Sequence, residues 1–427
     1  LLVIWVCLFS ISSAKAEHIT GADISYRHIS GNTYEFTLQV FADCDVVASP
    51  PRFYSINYGS AICGVSGSFD VNQVSETDIS PVCPTTRSSC QGGTGPGINR
   101  YIYRGRVTLP NACADWSFRW RECNRADGIA NLNPGTYCLF LEAKLNNLNG
   151  NNSSPNFTND ANGFVCINQL TQYNPGAVES DGDRLSFTSI SPLTNINTNI
   201  PFRTGLTPTN PLPNTTGFSV ENSTGRISFT STAAQRSVIT VLVQEFRNGT
   251  FIGSVMRDMQ FLVRDCANEL PVISGIDSTS SYEINACAGE QLVLNFIATD
   301  ADAGQNISLG YSGGLQGARF TQQRFSNRQR GTLRWTVPNN TSSGTAIFTI
   351  IATDNACPVV GQRSATFTIR YSSSLSIEGP DLITRVCTTA TILRPIVAGG
   401  QPPYTYLWPN NSTSDTFSTD SSGIVRL

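Results

Sequence analysis

The chain has 427 residues, with 28 basic side chains against 31 acidic ones, a net charge of -3 and a pI near 5.5. That balance supplies no overall basic field, which argues against partnership with nucleic acid through phosphate neutralisation and against anionic membrane surfaces. Charged residues make up only 14% of the chain, and Lys15 and Lys144 are its two lysines; with no long helical period of apolar residues, this predicts an all-β protein of three or four domains.

In chain order, residues 1–16 are an apolar run closing on Ala14-Lys15-Ala16. This predicts a secretory signal cut before Glu17, and hence an exported protein. The absence of Met and of a basic start predicts that the given chain begins inside the natural one. Cys7 lies ahead of the cleavage point, which argues against a lipid anchor. No later segment has the 18 or more apolar residues of a membrane span.

Residues 17–160 form the first predicted unit, a Cys-rich β domain. Tyr34, Phe36, Leu38 and Val40 alternate with Glu35, Thr37 and Gln39, the pattern of a half-buried strand. Further strands are predicted at 101–109, 116–120 and 137–143, and residues 146–159 read as a linker or long loop. Units at 161–270 and 271–371 follow as β-sandwiches, with the start of a fourth at 372–427. The fold class expected is therefore all-β, tandem β-sandwiches carrying disulfides.

Without Cys7, twelve cysteines remain: Cys44, Cys63, Cys83, Cys90, Cys113, Cys123, Cys138, Cys166, Cys266, Cys287, Cys357 and Cys387. In an exported chain this density reads as cystine staples. Zinc is disfavoured, because tight Cys pairs are missing and His18 and His28 are the only histidines. The simplest pairing ties Cys166 to Cys266 and Cys287 to Cys357, an early strand to a late one in each sandwich; Cys387 is left without an expected partner.

One pattern occurs twice. Glu179-Ser180-Asp181-Gly182-Asp183 is followed by Leu185 and Phe187, a predicted glycine turn at Gly225 and a strand ending on Glu245. Asp300-Ala301-Asp302-Ala303-Gly304 is followed by Ile307 and Leu309, a predicted turn at Gly331 and a strand ending on Asp354. Calcium takes six to eight oxygens, and alternating acids in a turn can aim several at one point. The candidate calcium ligands are thus Glu179, Asp181, Asp183 and Glu245 in one set and Asp300, Asp302 and Asp354 in the other. The competing reading is two exposed turns in which Asp and Gly serve the backbone.

Trp116, Phe118 and Trp120 fall on one strand face, and core packing explains them better than a sugar platform. Two histidines and no Gly-x-Ser-x-Gly elbow argue against a Ser-His-Asp nucleophile. The acids read as turn residues rather than as an opposed glycosidase pair. No enzyme activity is expected.

The segments Ile19-Thr20-Gly21-Ala22-Asp23-Ile24-Ser25-Tyr26, Arg121-Glu122-Cys123-Asn124-Arg125, Val243-Gln244-Glu245-Phe246-Arg247-Asn248-Gly249 and Arg257-Asp258-Met259-Gln260-Phe261 carry a resemblance. Over residues 19–270 the chain resembles the N-terminal region of large gliding-motility-associated surface proteins exported by the type IX route. The second and third units are similar to immunoglobulin-like and cadherin-like modules of bacterial adhesins, which implies that the tandem β-sandwich domains with disulfides are immunoglobulin-like. The stretch from Gly399 to Trp408 is similar to the start of polycystic-kidney-disease-like repeats. The resemblance implies a secreted, modular cell-surface protein for adhesion or structural display, with surface glycans or proteins as partners. The C-terminal sorting domain of such proteins is not within these residues. The alternatives are a non-catalytic, carbohydrate-binding accessory part of a larger exported hydrolase, or an array of carbohydrate-binding modules.

Overall fold

The structure, a computed structural model, describes residues 18–45, 49–135, 137–148, 150–325, 328–339, 344–373, 376–378, 391–398 and 404–419. The expected signal segment 1–16, Cys7, Cys387 and residues 399–403 lie outside the described residues. Among the described residues, regular structure is β-strand with two short 3-10 turns, Ser89–Gln91 and Ile276–Ser278.

The alternation read at Tyr34, Phe36, Leu38 and Val40 is the strand Thr33–Asp43, with those four side chains buried. Burial of such a side chain is worth roughly 1.5–3 kcal/mol, which holds the face inward. Trp116, Phe118 and Trp120 are likewise buried in the core. Phe118 packs with Phe36 at 4.4 Å between ring centres, and Trp120 meets Tyr54 edge-on at 5.2 Å.

The organising element is Thr250–Arg264. Every residue from Ile252 to Phe261 is buried, so both faces of this strand are covered. On one edge it pairs along its length with Gln235–Arg247. On the other it meets three partners in turn: Leu139–Leu145 through Gly253↔Leu145, Ile19–Ser30 through Ala22↔Asp258, and Asn162–Cys166 in parallel through Gln260↔Asn162. From Ile19–Ser30 the ladder continues through Thr33–Asp43, Ile98–Thr108, Val65–Asp78, Phe53–Ser60, Trp116–Glu122 and Leu139–Leu145, and so returns to Thr250–Arg264.

The boundary expected near residue 160 therefore falls inside one closed structure. Phe229, Val241 and Phe261 share a single core with Ile24, Phe36 and Trp116. No local signal marks this, because the pairing that joins residues 22 and 258 is long-range. The letters that carried the family resemblance hold this closure together. Arg257 and Asp23 are both fully buried with 3.7 Å between Nε and Oδ2, and burial outweighs the arginine in pushing the Asp23 carboxyl up to about 6. Arg125 makes a two-pronged bond to Asp258 at 2.9 and 2.8 Å, and the Thr240 hydroxyl donates to the same carboxylate.

The second body has its own core. Two four-stranded sheets face each other, one ordered Val272–Ile273, Gln291–Thr299, Arg328–Thr336, Arg319–Phe325, and the other Glu283–Cys287, Gln362–Ser372, Gly344–Thr353, Ser308–Gly313. Phe296, Phe348 and Phe367 fill the space between them. Glu283–Cys287 runs parallel to the last strand, Gln362–Ser372, with Ile284 beside Ile369. Gly331 is not at a turn as expected. It lies mid-strand opposite Phe296, where the Phe320 ring sits within 2.6 Å of the place a Cβ would take, whereas Gly225 occupies a turn at φ 74°.

Among the described residues five disulfides are present: Cys44–Cys90, Cys63–Cys113, Cys83–Cys357, Cys123–Cys138 and Cys166–Cys266. Cys357 is thus bonded to Cys83 of the first body, not to Cys287 as the sequence suggested; Cys287 is exposed and has no disulfide partner among the described residues. The reason is local pairing between bodies. Val82 bridges Val359, Cys83 N–H donates to Pro358 O at 3.2 Å and Val360 N–H donates to Pro81 O at 2.9 Å, which sets the two sulfurs side by side. Ser364 Oγ donating to Gln172 O and Asn174 Nδ2 donating to Thr366 Oγ1 extend this contact.

Candidate metal centre

The first acid loop connects Ala177–Val178 to Arg184–Ile190. Glu179 shapes it by accepting the amides of Asp181, Gly182 and Asp183 at 2.7, 2.5 and 2.7 Å. Asp183 stands just before the next strand, which pairs with Gln235–Arg247 in a register that places Leu185 opposite Glu245. That register brings the terminal acid of the repeat beside the loop. One carboxylate oxygen from each of Glu179, Asp183 and Glu245 lies within 4.8 Å of the others.

Glu245 is fully buried. Its Oε2 accepts a hydrogen bond from Asn152 Nδ2 at 3.1 Å, while Oε1 has no partner. A buried carboxylate oxygen without a donor costs about 1–3 kcal/mol or more when charged. Burial, and after it the charge of Glu179, lifts the Glu245 carboxyl well above its ordinary 4.5. Glu179 is raised in the same way, by burial first and then by Asp181 and Asp183.

Sequence reasoning missed the cation already present. Arg247, two residues beyond Glu245, donates from Nε and Nη2 to Asp183 at 2.8 and 2.6 Å, and its Nη1 and Nη2 also reach Asn151 O and Asn152 Oδ1. Its guanidinium neutralises Asp183 but does not bond Glu245. Asp181 points elsewhere, accepting from Ser153 N at 2.6 Å and lying 3.7 Å from Arg247. Of the four candidates, then, Glu179, Asp183 and Glu245 converge and Asp181 does not.

The second acid loop sits at the junction of the two bodies. Asp354 accepts from Gly361 N at 2.6 Å, Ala356 N at 2.9 Å and Asn268 Nδ2 at 2.8 Å. Asp302 accepts from Glu269 N at 2.9 Å, and Asp300 accepts from Asp302 N at 2.9 Å through Oδ1. Asp300 Oδ2 is buried without a partner, and its carboxyl is raised by burial and then by Asp354. Gln305 Nε2 ties Asn268 Oδ1 to Asp302. Among the described residues, Asp300, Asp302 and Asp354 do not approach one another as closely as the first three do. Their partners Asn268 and Gln305 carry no charge and gave no signal in the sequence pattern.

No family model matches the chain, and no curated protein matches it. Among solved structures it is similar to the N-terminal four Ig domains of a Dscam1 isoform, at 9% identity over 94% of this chain and 92% of that one, with a TM-score of 0.25. It is also similar to extracellular domains 3–5 of Drosophila OTK, at 11% identity over 58% and 75% of the two chains and a TM-score of 0.21. An endo-fucoidan hydrolase of glycoside hydrolase family 107 aligns at 14% identity over 71% of this chain and 39% of that one, TM-score 0.18. The strands and cystines define the class: an all-β protein of tandem immunoglobulin-like sandwiches stapled by disulfides.

Proposed function

We propose that this is an extracellular adhesion or display protein of the gliding-motility-associated kind, exported by the type IX route, whose first acid loop takes calcium. The carrying observation is the Cys83–Cys357 bond, which ties the two bodies into one presenting unit and is of the kind that persists in an oxidising compartment. Binding on such a unit is spread over strand faces and loops. In the first loop Glu179, Asp183 and Glu245 would hold the ion, which supplies the positive charge that the unpartnered oxygen of Glu245 lacks. Asp300, Asp302 and Asp354 of the second loop do not gather in this way, and Asp354 is held by Gly361 N, Ala356 N and Asn268 instead of by an ion.

The test uses cells that make the protein. Antibody against the folded chain should label intact cells, and deletion of the gene should reduce their attachment and spreading; unlabelled cells with normal attachment would remove this reading. Titrating calcium into the chelated full chain should raise its melting temperature, and no shift at millimolar calcium would reject the ion site.

A further inference from the structure

We propose that the outer face of the sheet formed by Gln291–Thr299, Arg328–Thr336 and Arg319–Phe325 binds an acidic polysaccharide, one bearing sulfate or carboxylate groups. The proposal rests on the adhesion reading above and names its ligand.

The sequence between Asp302 and Asp354 contains no acid but holds Arg319, Arg324, Arg328, Arg330 and Arg334. Period-2 alternation sorts them. In Arg328–Thr336, residues 328, 330 and 334 are exposed while Gln329, Gly331, Leu333 and Trp335 are buried. The register places Arg319 directly opposite Arg334, and Gln323 opposite Arg330. On the other side Val293 faces Arg334, Asn295 faces Thr332 and Thr299 faces Arg328. Four arginines thus share one flat face about 10 Å by 20 Å, interleaved with threonine and amide side chains.

Among the described residues no carboxylate bonds Arg319, Arg328, Arg330 or Arg334. Asp277, at the edge, is held by the amide and side chain of Asn295. Like charges directly opposite each other destabilise a sheet, so the Arg319–Arg334 pair costs stability with no compensating acid. Charging an exposed edge strand against aggregation accounts for Arg319, but Arg328, Arg330 and Arg334 lie on an inner strand with both edges paired. The overall charge of -3 conceals this segregation.

Guanidinium forks match sulfate and carboxylate, and the hydroxyls and amides between them match sugar hydroxyls. Single-stranded nucleic acid would need stacking rings, and the aromatic residue here, Phe325, lies under Arg330 at 4.9 Å. A duplex would need an element that enters a groove, which a flat sheet face is not.

The experiment measures binding of the full chain at physiological salt to heparin, polygalacturonate, dextran, duplex DNA and phosphatidylserine vesicles. Three proteins are compared: wild type, the face variant Arg319→Gln/Arg330→Gln/Arg334→Gln, and a control with Arg52→Gln/Arg87→Gln/Arg104→Gln. Both variants must melt as wild type does, or single substitutions replace the triple. The expected result is binding to heparin or polygalacturonate but not dextran, weakened about tenfold or more in the face variant and unchanged in the control. Absence of polysaccharide binding, equal loss in both variants, or tighter binding to DNA or vesicles would overturn the proposal. Failure here with normal surface labelling and attachment leaves the adhesion reading standing; failure of labelling removes that reading whatever the polysaccharide result.

Discussion

The two acid loops spell nearly the same pattern and meet different ends. In the first, the terminal acid is a fully buried strand residue, and an arginine on the same strand holds its neighbour Asp183. In the second, the terminal acid is saturated by backbone amides and by Asn268 of the linker between bodies. Repetition of carboxylates therefore does not by itself make an ion site. What differs is whether the third acid is left short of donors, as Glu245 is, or supplied with them, as Asp354 is.

Removing the arginine should break that contrast most sharply. Arg247→Ala leaves Asp183, whose side chain is only 3% exposed, beside Glu179 and Glu245 with no countercharge. A loss of about 2–3 kcal/mol is expected in chelator by denaturant titration, and calcium should restore most of it; an equal loss with and without calcium would mean the loop takes no ion. Glu245→Gln comes next, with the opposite sign: a gain of about 1–2 kcal/mol at neutral pH in chelator. Because the folded-state carboxyl of Glu245 is raised, its contribution is fully present below about pH 4.5 and is lost as pH rises through the folded value. Wild type should therefore lose stability over that window and Glu245→Gln should lose less, while calcium, which needs the carboxylate, should help wild type more as pH rises. Asp354→Asn is the smallest. It turns one acceptor into a donor facing Asn268, for about 1 kcal/mol, read as faster protease nicking of the linker at 265–272 with little change in the first body.

The all-β class was legible because alternation is local: Tyr34 to Val40 states its own burial. The convergence of Glu179, Asp183 and Glu245 was legible in part, since a repeat that ends a paired strand on an acid implies the register. Asp181 was overread, because carboxylate spacing along a loop does not say which way each one points. The division at residue 160 was not legible, since Ala22 opposite Asp258 leaves no mark nearby. Nor was the partner of Cys357, which depends on how two bodies touch. Net charge did not reveal the arginine face for a simple reason: a sum over the chain hides a stretch, between Asp302 and Asp354, where every charge has one sign.

The shared strand also governs when this molecule can come into being. Ile19–Ser30 and Leu139–Leu145 both complete their ladders on Thr250–Arg264, so the first core cannot close until the chain has been delivered as far as residue 264. Pairings of such separation are slow to form and leave unpaired edges in the meantime. Anything that threads this protein across a membrane from its N-terminus therefore hands over more than half the sequence before the first stable object appears, and the emerging part must be kept from its neighbours until then.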